Sequence, residues 1–201
     1  MTILDLLKYA FAAYLTVDFV RYARKGTVKR HFSVFAGRGI PEWIKALAMA
    51  SMMLGVLYAI IMGLYSLNNP ILSFSWLNLL KQPADGKNAG TNLVAAGAQV
   101  PYFGIVFGAL LALNIPRLVR REEEIFRRGT TTWAQSVPRS IKFGFAHMIV
   151  GVPIFGALAL TVVGFFFTWR YFVGGVREAT FYHCLNNLLV LTLVAVVMLT
   201  G

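Results

Sequence analysis

The sequence predicts an all-α fold, a polytopic transmembrane helical bundle of four to six spans with a membrane-embedded polar cavity. Two observations favour it. The chain of 201 residues is 58% hydrophobic and 13% charged, whereas a soluble domain is about half apolar and about a quarter charged. The apolar residues also collect in several long runs, as membrane spans do. We therefore expect residues 1–201 to form a single integral membrane domain.

Three apolar runs are long enough to be complete spans. Residues 43–67, 92–115 and 179–200 can each cross a hydrocarbon core of about 30 Å at a helical rise of about 1.5 Å per residue. The first segment, residues 3–20, is also apolar but carries three charged side chains. It is either a weak span or a helix lying in the membrane interface.

The apolar stretch 141–169 is harder to divide, because the sequence Gly151-Val152-Pro153 interrupts it. A proline at this position kinks or ends a helix, so the stretch is either one broken span or two helices meeting at a turn. The preceding segment "TTTWAQSVPRS", residues 130–140, is rich in hydroxyl residues and is expected to be loop-like.

The net charge of +11 comes largely from two basic blocks, 21–45 and 117–142, which flank apolar runs. This pattern is typical of cytoplasmic loops and argues against nucleic acid as a partner. We expect an integral membrane protein with cytoplasmic basic loops, in a prokaryotic plasma membrane or an equivalent inner membrane, with membrane lipid as a partner. Arg170 and Arg177 are predicted to anchor a helix at the interface.

The charged sequence "EEEIFRRG", residues 122–129, is the first candidate site. Glu123 and Arg127 are four residues apart, as are Glu124 and Arg128, so each pair shares a helix face. Adjacent residues differ by about 100° around a helix, so Glu123 and Glu124 cannot have the same role. We expect one to point into the bundle while the other pairs with Arg128.

Two further polar pairs lie within apolar segments. Phe143 and His147 are four residues apart in "FGFAH", and His183 and Asn187 are four apart in "HCLNN". Ionisable groups in a membrane cost about 2.5–3.5 kcal/mol on insertion scales and are candidates for function. Each pair also has an ordinary explanation, because polar side chains often join helices by hydrogen bonds worth about 0.6–2 kcal/mol.

The three pairs together form the ordered pattern EExxxR, FxxxH and HxxxN. In this chain its positions are Glu123, Glu124, Arg128, Phe143, His147, His183 and Asn187. The pattern resembles the CPBP family of intramembrane proteases, which includes the CAAX prenyl endopeptidases and the Abi and bacteriocin-immunity proteins. The resemblance covers about residues 117–200. It divides the chain into a protease-like core, 92–201, and spans and loops of unassigned role, 1–91.

The resemblance implies a glutamate-type intramembrane endopeptidase that hydrolyses a membrane-associated peptide or protein near the cytoplasmic face. It implies that Glu123 and His147 activate the attacking water, and that His183 and Asn187 stabilise the oxyanion. The supporting residues that it implies are Glu124, Arg128 and Phe143. The chemistry suits these side chains, because peptide hydrolysis needs a general base for water and donors for the developing oxyanion.

Other chemistries and functions remain as alternatives. A glutamate with two histidines can bind zinc, but HExxH is absent and the family resemblance implies no metal, so no cofactor is expected. The only cysteine, Cys184, projects to a different helix face from His183, and no GxSxG motif is present. The alternative function is a non-catalytic membrane scaffold, assembly factor or immunity protein. A small transporter ranks last, because no inverted repeat is visible.

Overall fold

The computed structural model describes residues 3–77 and 103–200, in which every regular element is helical. The α-helices are α1 (Ile3–Arg24), α2 (Val28–Phe32), α3 (Ile40–Ser66), α4 (Phe103–Phe126), α5 (Trp133–Ala146) and α6 (Ile154–Thr200). A short 3-10 helix, His147–Val150, connects α5 to α6. The predicted all-α fold is confirmed.

Two helical segments in the described ranges are long and apolar enough to cross a membrane, Ile40–Ser66 and Ile154–Val196. The first coincides with the predicted span 43–67. The predicted span 92–115 lies partly outside the described residues, since α4 begins at Phe103. The total of four to six spans stays a prediction.

α6 reverses direction at Gly174 and Gly175, so it forms two antiparallel arms, residues 154–173 and 176–200. In a straight helix Phe167 and His183, 16 positions apart, would be separated by about 24 Å. Their ring centroids are instead 4.1 Å apart. Gly175 has φ 67° and ψ −163°, a backbone conformation that is essentially restricted to glycine.

The chain also reverses between α5 and α6, at residues 147–153. Gly151 ends the 3-10 helix with φ 88°, and the ring of Phe143 on α5 lies 6.1 Å from that of Phe167 on the first arm. The stretch 141–169 is therefore two helices meeting at a turn. The loop-like expectation for residues 130–140 is wrong, because α5 begins at Trp133.

The start of α5 has a local cause. Thr132 is the N-cap, and its side-chain oxygen accepts a hydrogen bond from the backbone N–H of Gln135 at 3.3 Å. Pro138 then lies within the helix. A capping hydroxyl and contacts with α6 keep this segment helical despite a composition that is typical of loops.

The second arm of α6 packs between α3 and α4. Ala46 and Ala50 of α3 contact Phe181 and its neighbours, while Cys184 on another face contacts α4. The small residues on α3 allow close helix packing. Much of the remaining surface of α3 is apolar and exposed, including Ile44, Met52, Val56, Tyr58 and Met62. A surface of this kind is typical of contact with lipid or a partner.

Gly144 on α5 provides a test of the α5–α6 packing. A Cβ added at this position would overlap the carbonyl oxygen of Ala157 and the side chain of Thr161. We expect Gly144→Ala to lower the thermal unfolding temperature in detergent, because overpacking costs about 1–3 kcal/mol. Gly55→Ala on α3 is the control, since no atom lies within 4 Å of its added Cβ. Equal unfolding temperatures for both variants would contradict the observed packing.

Candidate active site at a buried glutamate–histidine cluster

Glu123 lies near the end of α4 and is fully closed off from solvent. Its Oε1 atom is 2.7 Å from Nδ1 of His183 on the second arm of α6. A hydrogen bond between these atoms requires Nδ1 to carry a proton when the carboxylate is ionised. The same carboxylate oxygen lies 3.4 Å from Nη1 of Arg127, one helical turn further along the chain. The carboxylate thus has a partner on α6 and a cation on its own segment.

Glu122 approaches the other nitrogen of the same imidazole. Its Oε2 lies 3.6 Å from Nε2 of His183, which is longer than a hydrogen bond. This oxygen is buried and has no hydrogen-bond partner among the described residues, although 34% of the side chain is exposed. The ring of His183 therefore lies between two carboxylates, of which only Glu123 is hydrogen-bonded to it, and the Oε2 of each has no hydrogen-bond partner among the described residues.

Aromatic rings fix the position of His183. The ring of Phe167 stacks on it with centroids 4.1 Å apart, and Phe143 meets it edge-on at 5.5 Å. Phe167 lies on the first arm of α6, Phe143 on α5 and the hydrogen-bonded Glu123 on α4, so three helical segments surround the imidazole. Ring orientation is therefore set by packing as well as by the bond to Glu123.

Arg127 supplies the positive charge inside this cluster. Its guanidinium lies 4.1 Å from the centroid of the Phe143 ring, a cation–π contact. Nη2 donates a hydrogen bond to the carbonyl oxygen of Gly164 at 3.3 Å. With 1% of its side chain exposed, Arg127 is a buried cation whose countercharge is Glu123.

His147 lies at the edge of the cluster. Its Nδ1 is 2.8 Å from the carbonyl oxygen of Phe143. Because a carbonyl only accepts, Nδ1 carries the proton and the Nε2 of a neutral ring is left as an acceptor. The nearby charges that act on His147 include those of Glu122 and His183.

Asn187 follows His183 by one helical turn. Its side chain is half-buried and makes no hydrogen bond to any residue that the structure describes. The adjacent Asn186 is buried, with an unpartnered Oδ1 in the same part of the chain.

The remaining motif residues lie on the outer side of α4. Glu124 pairs with both Arg120 and Arg128 at 3.2 Å. Arg128 pairs with Glu124 as expected, and 65% of its side chain is exposed; its supporting role stays a prediction. The pattern EExxxR also fits one residue earlier, as Glu122, Glu123 and Arg127. In this inner register the pair Glu123 and Arg127 is buried, whereas in the outer register the pair Glu124 and Arg128 faces outward.

A second ionic cluster was missed by the sequence analysis. Glu178 pairs with Arg170 across the α6 hairpin and with Arg38 at 2.9 Å. Arg170 has only 4% of its surface exposed and lies 4.0 Å from the ring centroid of Tyr182. The prediction that Arg170 is an interfacial anchor is wrong, because its charge is used inside the fold.

Comparisons with protein-family models, with curated proteins and with solved structures each found no match. The described residues also contain no group of three or more His, Cys, Asp or Glu side chains placed to hold a metal ion. The arrangement is that of an acid–base cluster in which a histidine connects two carboxylates.

The inner and outer registers of the motif make different predictions for stability. Arg127→Ala leaves Glu123 charged and closed off from solvent, which typically costs about 3–5 kcal/mol. Arg128→Ala removes an exposed pair worth about 0–1 kcal/mol, and Glu124 keeps Arg120. Thermal unfolding in detergent should therefore separate the two variants clearly. A larger loss of stability for Arg128→Ala would mean that the outer register is the structural one.

Proposed function

We propose that the protein is a glutamate-dependent intramembrane endopeptidase that hydrolyses a membrane-associated peptide or protein near the cytoplasmic face. The observation that carries this proposal is the position of His183 between Glu122 and Glu123. Glu123 is fully buried and paired with Arg127, whereas 34% of the Glu122 side chain is exposed. Two carboxylates in different environments can take different roles in acid–base chemistry.

Glu122 is the general base in this proposal. Its Oε2, which has no hydrogen-bond partner among the described residues, can accept a proton from water, and the unprotonated Nε2 of His147 is a second acceptor. The sequence pattern assigned this role to Glu123 with His147. We assign it instead to Glu122 with His147, because the Glu122 side chain is 34% exposed and can meet water, whereas Glu123 is fully buried and binds His183 and Arg127 through Oε1. Glu123 then acts as a positioning residue that holds His183.

His183 and Asn187 are the proposed oxyanion donors. With protons on both ring nitrogens, His183 donates from Nδ1 to Glu123 and from Nε2 to the substrate oxygen. Asn187 offers an amide N–H₂ group that makes no other hydrogen bond within the described residues. Water adds to the peptide carbonyl and gives its proton to Glu122, which passes it to the leaving amine. The reaction needs no other reactant.

A scaffold, assembly factor or immunity protein is the second candidate function. It is favoured by the closure of the cluster, since Glu123 and His183 are almost entirely shielded from solvent. A buried ionic cluster can fix how helices pack without doing chemistry. A protease must admit water and a peptide to this site, whereas a scaffold need not.

The proposed membrane orientation follows from the basic blocks. α2, from the first block, contacts α4, and Arg30 lines the same cleft as Arg120 of the second block. Spatial proximity of the two blocks supports their common location on the cytoplasmic side. The exposed apolar surface of α3 supports contact with lipid.

Three adjacent substitutions of the same chemistry separate these proposals. Glu122→Gln should lower the rate of processing by about 10²–10⁴-fold, the usual effect of losing a general base, with an unchanged unfolding temperature. Glu123→Gln should lower the unfolding temperature, because Arg127 loses its countercharge. Glu124→Gln is the matched control and should keep both the wild-type rate of processing and the wild-type unfolding temperature. Purified variants in liposomes with cell-derived membrane proteins would be assayed by labelling and sequencing new N-termini.

The pattern of outcomes identifies the base. Loss of processing in Glu123→Gln at wild-type stability, with an active Glu122→Gln, would return the role of base to Glu123. Full processing by all three variants would exclude a glutamate protease. Absence of any new N-terminus with the wild-type protein would favour the scaffold function.

The orientation is tested by cysteine labelling with a membrane-impermeant reagent. Lys29→Cys and Thr131→Cys, at exposed positions of the two basic blocks, should react only from the cytoplasmic side. Leu67→Cys, at the other end of α3, should react only from the opposite side. The native Cys184 is buried and gives a low background. Labelling of positions 29 and 131 from different sides would refute the orientation.

A further inference from the structure

A basic cleft lies on the outer side of α4, away from the glutamate–histidine cluster. It has a volume of about 350 Å³ and is formed by α2 and the last three turns of α4. Its lining residues are Arg30, His31, Arg117, Arg120, Arg121 and Glu124. We propose that this cleft binds a phosphate group, either the headgroup phosphate of an anionic lipid or free phosphate.

The charge balance within the cleft favours an anion. Arg117 is paired with Asp18 of α1, and Arg120 is paired with Glu124. Arg30 and Arg121 have no carboxylate partner among the described residues. Four guanidinium groups therefore line the cleft, two of them paired with Glu124 in the cleft and with Asp18 outside its lining, and the other two remain uncompensated. A phosphate ligand supplies the missing negative charge.

The chemistry of arginine makes phosphate the preferred anion. A guanidinium presents a planar fork of N–H donors that matches two phosphate oxygens at once. Arg30 comes from α2 and Arg121 from α4, so a phosphate between them would connect two separate segments of the chain. His31 does not add a charge, because burial, Arg120 and Arg30 lower the pKa of its ring, which Glu124 only partly offsets.

The location of the cleft relates it to the membrane surface. It lies where the two basic blocks meet, at the end of α4. In the proposed orientation this position is at the depth of the lipid headgroups. Basic pockets at the cytoplasmic ends of membrane helices are suited to anionic headgroups. The volume is larger than a phosphate alone requires, which leaves room for the rest of a headgroup.

The test compares two double variants of equal charge. Arg30→Gln with Arg121→Gln removes the two uncompensated cations, and Arg21→Gln with Arg24→Gln removes two exposed arginines of the first block outside the cleft. The full-length proteins are placed in phosphatidylcholine vesicles with and without phosphatidylglycerol, and co-purifying lipid is counted by native mass spectrometry. We expect about a tenfold or greater loss of bound phosphatidylglycerol in the cleft variant only.

A second arm of the experiment identifies the source of the phosphate. Inorganic phosphate and chloride are compared at equal ionic strength for their effect on the unfolding temperature in detergent. Stabilisation by phosphate in the wild type and the Arg21/Arg24 variant, but not in the cleft variant, would assign free phosphate as a ligand. If neither phosphate nor phosphatidylglycerol binds, or if both double variants lose binding equally, the proposal is overturned.

The single variant Arg30→Lys covers the case in which the double cleft variant does not fold. It keeps the charge but loses the planar fork, so it should weaken binding while leaving the unfolding temperature without ligand unchanged. Undiminished binding of both phosphatidylglycerol and phosphate by Arg30→Lys would show that only net charge matters, which would also overturn the proposal.

Discussion

The carboxylate of Glu123 is closed off from solvent and has to be neutralised where it lies, because an isolated charge in a protein interior costs several kcal/mol. Arg127 balances the charge from the same segment, and His183 adds a hydrogen bond from the second arm of α6. The aromatic rings of Phe143 and Phe167 then exclude water around these groups. The packing of α4, α5 and both arms of α6 is thus organised around one buried charge.

Some of this arrangement could be predicted from the sequence. Apolar composition predicted the helical fold, and the spacing of polar residues singled out Glu123 and His183, which are in direct contact. The register of the acidic motif could not be predicted, since EExxxR fits twice in "EEEIFRR". Which register faces inward depends on the side of α4 that packs against the second arm, and that is a tertiary property.

The antiparallel packing of the two arms of α6 could not be predicted from composition. The apolar runs 141–169 and 179–200 are separated in the sequence by a segment that carries Arg170 and Arg177, but hydropathy does not show that the chain folds back between them. The local signal is the pair Gly174-Gly175, because two adjacent glycines can adopt backbone conformations outside the helical region. The hairpin also brings together charged residues that would be far apart along a straight helix. Arg170 and Glu178 are eight positions apart in sequence, yet they form an ion pair because the chain folds back between them.

The separation of Glu123 from His183 along the chain has a consequence for biosynthesis. The two residues are 60 positions apart, which corresponds to about 3–12 s at synthesis rates of about 5–20 residues per second. During that interval α4 has been synthesised but the histidine partner of Glu123 has not. Arg127 is only four positions away, so the glutamate and the arginine are synthesised together and can form a neutral ion pair at once. The histidine then joins a site whose charge is already balanced.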